Sequence, residues 1–214
     1  MSRPAPASQP AFVIVRHGNT FAAGEPPRRI GSRTDLPLTA AGHEQARALG
    51  AMFASRHWHF TRALFSPLLR TRQTAEAILE SQPADADVVT ELCDFLREID
   101  HGPDEDQTED AVMARIGAEA IAAWDARAEP PPGWQIDRVQ RIAGWRALFV
   151  APPAGGPTLL ITSNGAARFA LMADDALAAA SANLSSLKLP TGGYGEIWRD
   201  GTGALSIGAW GLRP

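Results

Sequence analysis

Residues 12–20 read FVIVRHGNT, a run of four large apolar residues that ends abruptly in Arg16 and His17. The apolar residues do not alternate with polar ones, which predicts a strand buried on both faces, as in a parallel sheet. Similar runs occur at 63–65 (ALF) and 158–162 (TLLIT), with helical patterns between the three. Strands that alternate with helices predict an α/β fold, a three-layer sandwich around a largely parallel central sheet.

The remaining patterns fit one domain at residues 11–214. Helical patterns lie at about 40–56, 69–79, 109–127, 137–150 and 166–172, and further strands are predicted near 88–89, 194–198 and 205–210. Three prolines among the first ten residues predict a disordered tail at 1–10. The segment from about 100 to 156 is acidic and turn-rich at its start and has no strand pattern. It predicts a small helical cap inserted between sheet strands.

Composition restricts the class of function. The 214 residues carry a net charge of −4, and an acidic chain lacks the broad positive field of a nucleic-acid binder. No apolar run is long enough to cross a membrane, and the first residues do not resemble a secretory signal. The single cysteine, Cys93, excludes a disulfide framework. We therefore expect a cytoplasmic protein with no membrane or nucleic-acid partner and no metal or cofactor, and its oligomeric state stays open.

Residues just after the predicted parallel strands are the first candidates for a site, because such sheets bind ligands beyond the carboxyl ends of their strands. They are Arg16, His17 and Gly18 after the first strand, Arg70 after the second, and 163–165 after the third. Arginine side chains bind phosphate through two parallel N–H donors. A neutral imidazole beside such an anion is a competent nucleophile, and a glycine lets backbone amides approach the anion closely.

The segment LREIDHG at 96–102 adds two candidates. Glu98 could protonate a leaving alcohol, while an ordinary ion-pair role also stays open on the residues alone. His101 lies three residues later and could approach the same pocket. Three tryptophans of the predicted cap, at 124, 134 and 145, could pack the cap or form an aromatic wall for an organic substrate.

Four motifs in this order resemble the histidine phosphatase superfamily, which has a phosphoglycerate-mutase-like fold. They are VRHGNT (15–20), TDLPLTAAGHEQA (34–46), SPLLRTRQTA (66–75) and LREIDHG (96–102). The resemblance implies that His17 accepts the phosphoryl group and that Glu98 donates a proton. It also implies a set of residues that bind the phosphate and the substrate: Arg16, Gly18, Asn19, Thr20, Arg29, Arg70, Asn164 and Gly165.

The chain departs from this family pattern at two positions. Asn164 stands where the family has a second catalytic histidine, within TSNG at 162–165. An amide can donate a hydrogen bond to a phosphoryl oxygen but carries no positive charge, and one such donor is worth about 10²–10³ in rate. Ala23 stands where the family has an asparagine, and Asn19 or one of Arg28 and Arg29 could supply that contact.

The leading interpretation is a phosphatase that hydrolyses a small phosphomonoester through a phosphohistidine on His17, with activity reduced by Asn164. One alternative is a non-catalytic phosphoester-binding protein that has lost turnover. A phosphoglycerate-type mutase is less favoured because the predicted cap is short. In each case the expected ligand is a small phosphorylated substrate or inorganic phosphate.

Overall fold

A six-stranded β-sheet lies at the centre of the structure, a computed structural model that describes residues 9–152 and 155–214. The strands are β1 (Phe12–Arg16), β2 (Arg62–Phe65), β3 (Val89–Leu92), β4 (Thr158–Thr162), β5 (Tyr194–Arg199) and β6 (Leu205–Leu212). Their order is β3-β2-β4-β1-β5-β6, with β3, β2, β4 and β1 parallel and β5 and β6 antiparallel to their neighbours. The predicted α/β sandwich with a largely parallel sheet is confirmed.

The helices follow the sequence patterns closely until the last third of the chain. They are α1 (Ala40–Ser55), α2 (Leu69–Leu79), α3 (Glu109–Arg127), α4 (Arg138–Val150), α5 (Asn164–Ala167) and α6 (Asp175–Ser181). The helix predicted at 166–172 is instead the short α5 followed by a 3₁₀ turn at Arg168–Met172. The sequence analysis missed α6, which Asp174 caps by accepting the N–H groups of Ala176 and Leu177.

Both faces of the sheet are covered, which explains the unbroken apolar run of β1. Phe12 and Ile14 point to the face covered by α4, where the ring of Phe149 lies 5.0 Å from that of Phe12. Val13 and Val15 point to the opposite face, covered by α1 and α2. A strand between two helical layers must be apolar on both sides, as the sequence predicted.

The segment predicted as a cap, about 100–156, divides into two parts. α3 is interrupted at Gly117, whose φ is +80°, and its second half brings Trp124 to the edge of the sheet where His17 lies. α4 instead packs against the sheet, because Trp145 and Phe149 belong to one core with residues of β1 and β4. Val112 and Trp124 of α3 belong to the same core, so the extent of the cap over about 100–156 stays a prediction.

Two stretches of these predictions lie outside the described residues, namely 1–8 of the predicted tail and 153–154 at the end of the predicted cap. Within 9–152 and 155–214, no helix combines the length and apolar character that a membrane span requires.

Candidate active site

A cavity of about 220 Å³ opens where β1 and β4 end and α3 approaches them. It is lined by Arg16, His17, Asn19, Thr20, Phe21, Pro27, Arg28, Arg29, Ile30, Glu98, His101, Glu109, Trp124, Asn164, Gly165 and Thr191. A larger cavity of about 840 Å³ lies beside Arg199 and Asp200, and no histidine or cysteine lines it. The smaller cavity is the candidate active site, because it brings together most of the residues that the sequence singled out.

His17 follows β1 and is only 4% exposed. Its Nδ1 lies 2.8 Å from the carbonyl oxygen of Gly18, so this nitrogen carries the proton and donates it to the carbonyl. Nε2 then keeps its lone pair and accepts a hydrogen bond from Nε of Arg70 at 3.2 Å. The imidazole is thus held in the tautomer whose unprotonated nitrogen can attack a phosphorus atom.

The surroundings of His17 also favour its neutral form. Burial lowers the pKa of His17 well below 6.5, and the positive charges of Arg70 and Arg16 lower it further. A group with a lowered pKa becomes protonated only as the pH falls through that lower value. His17 therefore keeps a nucleophilic lone pair throughout the neutral range.

This electrostatic account predicts the titration of His17. In a ¹⁵N NMR titration, with the resonances assigned by a His17→Asn variant, Nε2 should remain unprotonated to well below pH 6.5. Arg70→Met removes the largest charge contribution while the burial remains, so the pKa of His17 should rise toward 6.5. Protonation of the wild-type imidazole near pH 6.5 would contradict the account.

Arg16 is the last residue of β1, and Arg70 lies in the first turn of α2, so the two approach His17 from different elements. Arg16 lines the cavity, where burial lowers its pKa to about 10, so it is cationic at neutral pH. Its Nη1 donates to the carbonyl of Leu189 at 2.9 Å. Arg70 is fully buried behind His17, with Nη1 bonded to the carbonyl of Thr34 at 2.7 Å and Nη2 bonded to that of Gly31 at 3.0 Å. Backbone carbonyls thus fix both guanidinium groups beside the nucleophile.

The predicted role of Gly18, to let backbone amides approach an anion, stays a prediction, and the amide of Gly18 itself is already bonded within the protein. Its N–H donates to Oγ1 of Thr74 at 3.1 Å, and Gly18 does not line the cavity. Glycine is needed here for a steric reason: a Cβ at this position would lie 2.3 Å from the carbonyl oxygen of Gly42. The close approach of α1 to the nucleophile loop therefore explains the residue.

The loop after the nucleophile forms the rim of the cavity. Asn19 and Thr20 line it, and the amide of Asn19 donates to the carbonyl of Phe21 at 2.9 Å. Arg28 and Arg29 also line the cavity, and each is paired with an acidic side chain. Nε of Arg28 lies 2.7 Å from Asp106 Oδ1, and Nη2 of Arg29 lies 2.5 Å from Glu109 Oε2. The rim arginines are thus neutralised locally, whereas Arg16 makes a hydrogen bond to a backbone carbonyl and no ion pair within residues 9–152 and 155–214.

Glu98 is buried against the cavity and held by two backbone donors. Oε1 accepts the N–H of Ile99 at 2.9 Å and Oε2 accepts that of Gly165 at 3.0 Å. A Cβ on residue 165 would lie 2.3 Å from Glu98 Oε1, so only glycine lets the carboxyl come this close to the start of α5. Gly165 therefore acts by positioning Glu98.

Gly165→Ala tests this packing. The added methyl group must displace the carboxyl of Glu98, and overpacking of a buried site costs about 1–3 kcal/mol. We expect a lower midpoint of thermal unfolding together with at least a tenfold loss of turnover on alkyl phosphates. A variant that unfolds and turns over like the wild type would show that Glu98 does not need this position.

His101 lies in the same cavity. Its Nδ1 is 3.6 Å from Glu105 Oε2, and its ring lies edge-on to Trp134 with centroids 4.6 Å apart. Glu105 also accepts the N–H of Gly31 at 2.9 Å and the hydroxyl of Thr34 at 2.8 Å, and its pKa is lowered to about 2. Burial raises this pKa, but the contacts with His101, Thr34 and Gly31 outweigh it. The N–H of His101 also donates to Glu105 Oε2 at 3.2 Å, so the carboxylate joins the rim loop to the 96–102 segment.

With this geometry in place, comparison with known proteins identifies the family. A family model described as "Histidine phosphatase superfamily (branch 1)" matches residues 12–204. The chain belongs to the histidine phosphatase superfamily.

Relatives within the superfamily include both mutases and phosphatases. The 2,3-bisphosphoglycerate-dependent phosphoglycerate mutase of Rhizobium etli is 29% identical over 158 residues, which is 72% of this chain and 74% of the mutase. The fructose-2,6-bisphosphatase TIGAR of Bos taurus is 32% identical over 133 residues, which is 61% of this chain and 47% of that protein. The matched region therefore spans about half of the length of TIGAR.

Solved structures agree with the fold. A protein of Thermus thermophilus, TTHB049, is 30% identical, with 86% of this chain and 91% of that chain covered and a TM-score of 0.60. The complex of mycobacterial glucosyl-3-phosphoglycerate phosphatase with inorganic phosphate has a TM-score of 0.69 over 94% of this chain and 97% of that chain. At 20% identity the second likeness concerns the fold alone.

Asn164 occupies the position at which the superfamily resemblance placed a second histidine. Its Oδ1 accepts the N–H of Leu189 at 3.1 Å, which fixes the assignment of the amide because a backbone N–H needs an acceptor. Asn164 also lines the cavity, and its amide keeps Nδ2 as a donor. Asn164 is thus a neutral donor in the cavity that Arg16 and His17 also line.

Sequence reasoning missed two contributors to this histidine phosphatase site. The first is the backbone of Leu189, which holds both Asn164 and Arg16. Trp124, which the sequence did single out, lines the cavity and also packs in the core. The second contributor is Arg168, which lies at the start of the 3₁₀ turn, is completely buried and stacks on Trp124. The sequence offered one sign of this: Arg168 lies four residues after Asn164, and residues four apart lie on the same face of a helix.

Proposed function

We propose that this chain is a phosphatase that hydrolyses small phosphomonoesters through a phosphohistidine on His17. The observation that carries the proposal is the unprotonated Nε2 of His17, fixed by its bonds to Gly18 and Arg70 in a cavity that also holds Arg16 and Glu98. A buried neutral imidazole beside fixed cations is suited to attack on an anionic phosphoryl group.

The reaction needs two transfers at phosphorus. In the first, Nε2 of His17 gives up its hydrogen bond from Arg70 and forms a bond to phosphorus as the bond to the ester oxygen breaks. The leaving oxygen takes a proton from the carboxyl group of Glu98. In the second, a water molecule attacks the phosphorus and gives a proton to the Glu98 carboxylate. The bond between phosphorus and Nε2 then breaks, which releases inorganic phosphate and restores the neutral imidazole.

The arginines are arranged to serve both transfers. Arg16 and Arg70 are held by backbone carbonyls, so their charges are in place before the substrate arrives. Burial lowers the pKa of both guanidinium groups, and the negative charge of Glu98 partly counters this effect. A bound phosphoryl group would offset the same positive charges.

The size of the cavity and the names of the relatives support a small phosphorylated substrate. About 220 Å³ is below the 300–1,000 Å³ typical of drug-sized ligands, so the phosphoryl group leaves room for only a compact alcohol. Two of the relatives named above, the phosphoglycerate mutase and TIGAR, act on a phosphoglycerate or a phosphorylated sugar according to their names, and this supports the same broad class here.

One observation favours a second candidate, a phosphoester-binding protein without turnover. Asn164 supplies a neutral amide where the resemblance places a cationic imidazole, and one transition-state donor contributes about 10²–10³ in rate. Such a protein would keep the cavity and its affinity for phosphate but would not release phosphate from esters.

A screen of aryl, alkyl, sugar and carboxylate-bearing phosphomonoesters with the purified full chain separates the two candidates. Phosphate release by the wild type, absent from His17→Ala, supports the phosphatase. Binding of orthovanadate or inorganic phosphate in calorimetry, without release from any ester, supports the binding protein. Absence of both turnover and anion binding would overturn the proposal and its alternative.

A further inference from the structure

The most unusual charged group near the site is Arg168, which is completely buried one helical turn after Asn164. Its guanidinium carbon lies 4.2 Å from the centre of the Trp124 ring, and Nη1 donates to the Trp124 carbonyl at 2.5 Å. Nη2 has no hydrogen-bond partner within residues 9–152 and 155–214, and its nearest carboxylate oxygen, Asp125 Oδ1, is 4.0 Å away. A buried cation is thus only partly compensated, which is costly.

Arg168 also contacts the peptide that joins the two ends of the site. Its Nε makes a long hydrogen bond of 3.5 Å to the carbonyl oxygen of Asn164. The N–H of the same peptide, at Gly165, donates to Glu98 Oε2 at 3.0 Å. Hydrogen bonds in such a chain polarise one another, so the guanidinium acts through this peptide on the proton donor.

The charge of Arg168 persists at neutral pH. Burial lowers its pKa to about 10, while the negative charges of Glu98 and Asp125 raise it and the positive charges of Arg29 and Arg16 lower it. Three of these four groups line the cavity, so the field of Arg168 reaches the space that a phosphoryl group would occupy. A bound anion would supply the missing compensation.

We propose that Arg168 is a positioning residue that supplies, from behind the Asn164 turn, the positive charge that Asn164 itself cannot carry. It holds the Asn164–Gly165 peptide and the Trp124 ring in place without touching the substrate. The proposal rests on the proposed function for its kinetic part, while its effect on anion binding is independent of turnover. A guanidinium does not titrate near neutral pH, so this arrangement works over a wider range of pH than an imidazolium.

A double-mutant cycle of Arg168→Met and Asn164→His tests whether a positive charge at position 164 can replace the charge of Arg168. Arg168→Met should weaken orthovanadate binding and lower kcat about tenfold or more, with a smaller change in KM. Asn164→His should restore both in the Arg168→Met background and give a clearly smaller gain in the wild type, because the Arg168 charge is then already present. The restored function should decline as pH rises and the new imidazolium, which faces Arg16, His17 and Glu98, loses its proton.

Arg199→Met is the matched control. Arg199 also lies over an aromatic ring, that of Phe12 at 5.2 Å, and donates to the carbonyls of Ala151 and Phe149, but it is at the opposite end of the sheet. The Arg199→Met variant should unfold at a lower temperature than the wild type but bind vanadate with the same affinity. An equal loss of affinity in Arg199→Met would show that general destabilisation, and not the Arg168 charge, causes the effect.

Other outcomes would also overturn the inference. The first is a folded Arg168→Met variant that binds vanadate as tightly as the wild type. The second is an equal gain in vanadate affinity and kcat when Asn164→His is made in the wild type and in Arg168→Met. If Arg168→Met does not fold, Arg168→Gln takes its place in the same cycle, because its amide can still donate to Trp124. If the wild type hydrolyses no ester, the phosphatase proposal fails, and the vanadate arm of the cycle still decides the role of Arg168.

Discussion

His17→Ala should abolish turnover, with kcat at least about 10³-fold below that of the wild type. The imidazole is the group that would form the bond to phosphorus, and the remaining arginines cannot replace it because guanidinium groups are not nucleophiles at neutral pH. Rapid quenching of the wild type with a ³²P-labelled aryl phosphate should trap a protein adduct that is labile in acid and stable in base. Peptide mapping should place the label on His17.

His59→Ala is a suitable control, because His59 is solvent-exposed and does not line the cavity. It should keep both the label and the turnover of the wild type. Label on another residue, or steady turnover with no label at any quench time, would exclude the phosphohistidine route. Unchanged turnover in His17→Ala would exclude His17 from the chemistry altogether.

The parts of the site that sequence could predict are those that depend on local pattern. The apolar run of β1 fixes a buried parallel strand, and His17 follows it directly, so its place at the sheet edge follows from topology alone. The contact of Arg70 with His17 follows in the same way from its place in the first turn of α2. Its predicted phosphate binding stays a prediction, since Arg70 does not line the cavity. The helices at 40–56 and 69–79 carry clear apolar stripes because each packs on one sheet face.

The parts that could not be predicted depend on contacts between distant segments. The carbonyl of Leu189 fixes Arg16 across 173 positions of sequence, and no local pattern encodes a backbone contact of that kind. Gly18 was assigned to anion binding because its neighbours suggested it, and only the structure shows the close approach of Gly42 that requires glycine there. α4 lies within the predicted cap in sequence order, and only its packing on β1 shows that it covers one face of the sheet.

The Glu98→Gln variant should distinguish the role of Glu98 as proton donor from the roles of the other site residues. With an alkyl phosphate, whose alkoxide is a poor leaving group, kcat/KM should fall about 10²–10⁴-fold, because the leaving oxygen no longer receives a proton. With p-nitrophenyl phosphate, kcat/KM should change much less, because the nitrophenolate leaves without one. Since kcat/KM reports the first phosphoryl transfer, comparing the two esters isolates the step in which Glu98 acts as an acid.

The same variant should reveal the second role of Glu98. Hydrolysis of the phosphohistidine needs a base for the attacking water, so Glu98→Gln should accumulate labelled His17 with p-nitrophenyl phosphate and show a burst of nitrophenolate. The substitution also leaves one of the two backbone donors, on Ile99 and Gly165, without its carboxylate acceptor. The loss of that hydrogen bond should lower kcat/KM equally for the two esters. Equal decreases in kcat/KM for the two esters, with no burst, would therefore assign Glu98 to holding the α5 turn and not to proton transfer.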